Sequence, residues 1–334
     1  MSGPLATRLF RLAFLAAGGY GLVFGVWIML APGALGGLLG LPGPRHEPAV
    51  FVLGVVVAGF GLLYLWAARH LDRAAPIIAV GLLGKALWPI GLALWIGGAE
   101  WPARAGLLAV FNGVIWWLPF TLFLLRRSRF AAGIERAAPW VCVASHALAL
   151  AMLALTLPGT EIQPDVGTRA AFIVEHVVSW RLGWALWMLA ALSLVGFYAW
   201  WGARLATRPI AIVAVALTWV GTVCDLSGET VWSLLAVEAA RQGGDLAAAL
   251  RAGTLLSAGA ANGIYTVAGI FLTLATPGLP RAVRASMWVT WAAGVLMTLG
   301  AIAGSIVVMT ASTAVLFPLL LGWTIWMALR WERR

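Results

Sequence analysis

The residues best suited to chemistry in this 334-residue chain are few, and each sits in an apolar stretch. Thr218, Thr222, Asp225, Glu229 and Trp232 follow one another at spacings of four, three, four and three. On a helix this places Asp225 and Glu229 one turn apart on one face. Two such carboxylates repel unless a cation or a proton lies between them. Arg181 is the natural cation, because its planar fork holds a carboxylate through two bonds. Shielded from water, one carboxyl could instead keep its proton and act as an acid. His176 could serve as the base and Glu175 could orient its ring, although adjacent helical residues point about 100° apart. His176, Trp180, Gly183, Trp184 and Trp187 also share a helical face, a polar tip over an aromatic stripe.

A second set of polar residues is more central in its segments. Lys85 lies about 15 Å into its segment, where desolvation opposes the charge. Asn112 falls at a similar depth in the next segment and is its expected partner. An anion or a lipid headgroup is the other partner expected for this lysine. His146, Asn262 and Tyr265 are buried in the linear reading, and Ala258, Asn262, Tyr265 and Gly269 share a face. Hydrogen bonds between helices would account for all of them. Convergence of Lys85, Asn112, His146 and Asn262 would instead make a midplane cavity of the kind transporters use.

The elements that must position these groups follow from composition. Hydrophobic residues make up 62% of the chain and charged residues 10%, with a mean hydropathy of +0.95. A water-soluble domain is typically about one quarter charged, so 22 basic and 12 acidic residues are too few to cover one. The expected fold is all-α, a polytopic bundle of transmembrane helices. A bilayer core of roughly 30 Å needs about 20 apolar residues per helix. Ten segments qualify: 12–31, 50–68, 75–97, 105–125, 138–157, 177–202, 208–228, 252–275, 285–308 and 312–330. The first follows Arg8 and Arg11 but reads as a retained helix, not a cleaved leader.

Basic residues test this division independently. Alternate connections carry 15 of the 22, from Arg8 and Arg11 through Arg126, Arg127, Arg129 and Arg136 to Arg330, Arg333 and Arg334. The opposite connections carry five: Arg45, Arg104, Arg169, Arg241 and Arg251. Basic residues near span ends favour the cytoplasmic side, so both termini are expected in the cytoplasm of a bacterial-type inner membrane. The net charge of +10 is then a topology signal facing anionic headgroups, and no nucleic-acid partner is expected. The connection at 126–137 separates a four-span unit (1–125) from a six-span unit (138–334). The outer connections at 158–176 and 229–251 are long enough to form a lid or short interfacial helices.

Gly54 and Gly61, Gly81 and Gly84, and Gly259 and Gly263 offer small faces for close helix contact in lipid. Trp66, Trp101, Trp140, Trp201, Trp232 and Trp331 fall near span ends and read as interfacial anchors. Trp88, Trp116, Trp117, Trp187 and Trp219 lie deeper and are open to a pocket role. Cys142 and Cys224 support neither a disulfide framework nor a thiolate metal site, and the four histidines form no metal-binding motif.

The run from Gly21 to Pro32, the run from Gly54 to Tyr64, and Gly84 followed by Lys85 give residues 12–125 a resemblance to the DoxX-like bacterial membrane proteins. That resemblance implies a four-helix membrane unit, and some such proteins are linked to redox or quinone-related processes. It carries over no catalytic residue. The remaining segments, including Trp180-Arg181-Leu182-Gly183-Trp184, resemble only uncharacterised multi-pass bacterial proteins.

No Walker lysine loop, dinucleotide glycine loop or serine elbow is present, which argues against ATP-driven or nicotinamide chemistry. No cofactor is expected, though a quinone or similar lipid-like molecule is compatible with the sequence. Three function classes remain: a protein that binds, and moves, a small amphipathic or anionic solute from the outer side; an intramembrane acid–base enzyme on a lipid or isoprenoid using Asp225, Glu229 and His176; and a scaffold whose polar residues join helices.

Overall fold

The computed structural model describes residues 4–40, 47–97, 102–126, 131–205 and 208–332, and within them it is helical with no strand. Among the described residues, nine helices are long and apolar enough to cross a membrane, and Ala75–Pro89 is a shorter apolar helix. Large apolar side chains lie open on their flanks, with Leu30 81% and Val307 79% exposed. Such surfaces are stable against lipid and not against water. The protein is therefore a multi-pass membrane protein. The chain divides into two compact units, Met1–Ala131 and Ala132–Arg334.

The first unit contains α1 (Pro4–Leu30), α2 (Pro32–Leu39), α3 (Glu47–Arg69), α4 (Ala75–Gly97), α5 (Leu107–Asn112) and α6 (Trp117–Leu125). Helices α1 and α3 pack extensively because glycine faces meet. A Cβ on Gly25 would lie 2.7 Å from the Gly54 carbonyl oxygen, and one on Gly61 would lie 2.7 Å from the Leu22 nitrogen. The expected small face of α3 is thus in use. Phe10, Phe14, Phe120 and Phe123 close the other side, with the Phe14 and Phe123 rings edge to face at 4.9 Å.

The expected fourth span is interrupted. It begins with a 3-10 turn (Ala103–Gly106), breaks after α5 at Gly113, passes through a second 3-10 turn (Val114–Trp116) and resumes as α6. Gly113 leaves the helical region at φ −125° and ψ −86°. A Cβ there would meet Pro89 Cγ at 2.8 Å, so the break and the proline of α4 need each other.

The second unit contains α7 (Ala131–Thr156), α8 (Val166–Glu175), α9 (Val177–Gly202), α10 (Arg208–Thr230), α11 (Ala236–Gln242), α12 (Leu246–Thr254), α13 (Asn262–Ala275), α14 (Arg281–Ala303) and α15 (Ile306–Glu332). Two expected span ends are corrected here. The connection at 229–251 is largely helix, because α10 continues through a π turn (Val231–Leu235) into α11. Gly243, at φ 70°, then reverses the chain, and Asp245 caps α12 by accepting the Ala248 N–H at 2.9 Å. The span expected at 285–308 ends at Ala303, where Gly304 takes φ 69°, and α15 begins at Ile306 instead of 312. A second π turn (Leu255–Ala261) joins α12 to α13.

Helix α8 is short and is capped by Asp165, whose carboxylate accepts the Thr168 N–H at 2.6 Å. It packs on α11, and Ile173 joins Trp180, Trp184, Trp232, Val237 and Leu250 in one apolar cluster.

Candidate functional site

Within the second unit a cavity of about 170 Å³ lies among α7, α9, α10, α13, α14, α15 and both π turns. Its wall is mostly apolar and aromatic. Trp184 is stacked on Trp232 with ring centroids 4.0 Å apart, and Trp187 meets Phe317 edge-on at 5.3 Å. Trp232 is 8% exposed and its indole N–H donates to the Leu250 carbonyl at 3.1 Å. It is a cavity wall and not the interfacial anchor expected. Trp201 is likewise buried and donates to Thr276 Oγ1 at 2.8 Å. Trp66 and Trp140 are partly exposed, as an anchor requires, and Trp101 lies outside the described residues.

The polar wall comes from α10, the second π turn and α13. Ser257 Oγ donates to Asp225 Oδ1 at 2.5 Å, and the Tyr265 hydroxyl donates to Thr222 Oγ1 at 3.1 Å while also reaching Asp225. Thr222 in turn donates to the Thr218 carbonyl at 2.9 Å. In the row read from the spacing, Thr222 and Asp225 thus both meet Tyr265 of α13, while the Thr218 hydroxyl bonds back to the Ala214 carbonyl. Asn262 donates to the Gly294 carbonyl at 2.6 Å and to Thr298 Oγ1 at 3.0 Å, which ties α13 to α14. His146 lines the cavity from α7, and its Nδ1 bonds the Cys142 carbonyl at 2.8 Å, leaving Nε2 as the other ring site.

Glu229 is one turn beyond Asp225 and is 1% exposed, with Oε2 lacking any hydrogen-bond partner. The indole N–H groups of Trp184 and Trp187, both on the cavity wall, also lack a protein partner. Buried polar atoms are normally satisfied, so the two orphan indole donors on the cavity wall mark the site.

The expected Arg181 bridge is absent. Arg181 is exposed, its Nε donates to the Ser233 carbonyl at 3.2 Å, and among the described residues no ion pair joins it to Asp225 or Glu229. The exit of α10 that would have exposed those acids does not exist, because the helix carries on through the π turn. Glu175 and His176 are exposed, and His176 stacks on Phe172 at 4.4 Å while bonding the Phe172 carbonyl at 3.2 Å. Neither lines the cavity. The histidine that shares its wall with Asp225 is His146.

Lys85 and Asn112 belong to the first unit, where they meet each other. Lys85 Nζ donates to the Asn112 backbone carbonyl at 3.0 Å, not to the side-chain amide, and lies 5.5 Å from the ring centroids of Tyr64 and Trp116. Pro89, four residues on, cannot donate to the Lys85 carbonyl. Trp117 Nε1 supplies that bond at 2.9 Å. Lysine and tryptophan thus satisfy two backbone carbonyls, that of Asn112 where α5 ends and that of Lys85 where Pro89 leaves it free.

Ser257 escaped the sequence reading because it lies five residues before Asn262, which an α-helix puts on a different face. A π turn, with its i→i+5 period, brings the two together. Trp291, Tyr198 and Phe317 carry no spacing signal that separates a cavity wall from ordinary core. Neither a protein-family model, nor a curated protein, nor a solved structure matches the chain.

Proposed function

We propose that the second unit is a binding module for a small amphipathic solute, held among the membrane-spanning helices. The carrying observation is the pair of partnerless indole N–H groups, Trp184 and Trp187, on the same cavity wall as Asp225, Asn262 and Tyr265. An apolar body would fill the aromatic part, and an acceptor oxygen would meet the indole donors. Two π turns on the cavity wall fit such a role, since these irregular turns recur at functional sites. The test is mass spectrometry of organic extracts from purified protein. Wild type should release a retained amphipathic molecule that Ala191→Phe, which fills the cavity, does not. Identical extracts from two folded proteins would overturn the reading.

We further propose ten spans, counting α4, with both termini cytoplasmic in a bacterial-type inner membrane and the first unit a DoxX-like four-span module. The sorting of basic residues supports this orientation. Passage of the solute across the bilayer is the activity this arrangement would serve, read as uptake by proteoliposomes that the Ala191→Phe protein does not support.

A further inference from the structure

The solute's charge follows from what surrounds Asp225, given the binding module proposed above. Asp225 is the only carboxylate on the described cavity wall, no lysine or arginine lines it, and its one histidine, His146 on α7, has Nδ1 bonded to the Cys142 carbonyl. Glu229 adds a second buried carboxyl with an orphan oxygen one turn away. Among the described residues, elements packed against α10 supply no ion pair to either. From α9, Arg181 is committed to the Ser233 carbonyl, and Tyr198 lines the cavity. From α12, Arg251 is committed to the carbonyls of Ala301 and Ile302. From α13, Tyr265 faces Asp225 and the hydroxyl of Thr222. The two π turns contribute Ser257 and no titratable group.

Two carboxyls in a dry site require a compensating positive charge. A metal ion is a poor alternative, since no group of three His, Cys, Asp or Glu converges among the described residues. The wall is instead rich in indole and phenol side chains, Trp184, Trp187, Trp232, Trp291, Tyr198 and Tyr265, a ring type whose quadrupole attracts a weakly hydrated organic cation. Carboxylate at one side and aromatic faces around it form the usual cage for an alkylammonium head.

We propose that the cavity takes an organic monocation, a quaternary or tertiary ammonium on a short apolar body with an acceptor oxygen. Its charge replaces the proton held by the Asp225–Glu229 pair, so uptake of one cation releases one proton.

Butyrylcholine and its uncharged isostere 3,3-dimethylbutyl butyrate test this by calorimetry on the full-length protein in phosphatidylcholine nanodiscs, with empty nanodiscs as blank. The charged ester should bind at least tenfold tighter than the isostere, weaken as pH falls, and release protons to a pH-indicator dye in weak buffer. Asp225→Asn should remove the tenfold preference while leaving the neutral ester within about twofold, which also reports an intact cavity. Glu229→Gln should narrow the preference too, and it decides the matter if Asp225→Asn does not fold. Equal affinities for the two esters, or charged binding without proton release, would overturn the cation assignment and leave the binding module standing. Absence of binding by either ester would overturn both.

Discussion

At the scale of single residues, a side chain's surroundings decide its role more than its type does. Asp225 and Glu229 lie one turn apart on one helix as their spacing requires, and that placement was legible in the sequence. Arg181 and His176 were not legible, because nothing in spacing reveals whether a side chain near a helix end turns inward or lies on the surface. Tyr265 depends on Gly221, where a Cβ would come within 2.7 Å of its ring. Gly221→Ala should therefore displace the phenol from Asp225 and weaken ester binding severalfold, measured by the same calorimetry, with little change in helicity by circular dichroism. Lys85→Met should leave the Asn112 carbonyl without its donor and lower stability by about 1–3 kcal/mol, read as a lower denaturation midpoint. An unchanged midpoint would mean that the bond contributes nothing.

At the scale of elements, long apolar runs made most helices readable, while their irregularities were hidden. The stretch from 229 to 251 read as an outer connection long enough for a lid or short interfacial helices, yet a π turn carries α10 through to Gln242. The glycine faces of α1 and α3 were visible in Gly54 and Gly61. Gly25→Ala should cost about 1–3 kcal/mol through overpacking against α3, detectable as a lower melting temperature. In the loop before α8, the Thr168 N–H and hydroxyl hold the Asp165 carboxyl below its ordinary value. Its capping contribution is therefore present above the unfolded carboxyl value and is lost as pH falls through the depressed one. Asp165→Ala should raise hydrogen exchange in Val166–Glu175 at neutral pH, and the difference from wild type should vanish in strong acid.

For the whole molecule, the sorting of 15 basic residues to one set of connections and five to the other makes a prediction about sidedness. A phosphatase fused after Arg334 should stay inactive and a fluorescent protein there should glow, as cytoplasmic placement demands. An active phosphatase would reverse the orientation. Membrane class and approximate span positions were readable because lipid demands long uncharged helices. The cavity was not, since it depends on how six helices meet, which no local pattern encodes.

The bond from Lys85 to the Asn112 carbonyl also bears on how the chain is made. An ammonium whose acceptor is a main-chain oxygen on the following element has no stable home in lipid until that element is synthesised. Helix α4 should therefore wait beside the insertion machinery and leave it together with α5 and α6 as one hairpin. Nascent chains stopped before residue 112 should keep α4 crosslinkable to that machinery, whereas chains long enough to expose α6 from the ribosome should not.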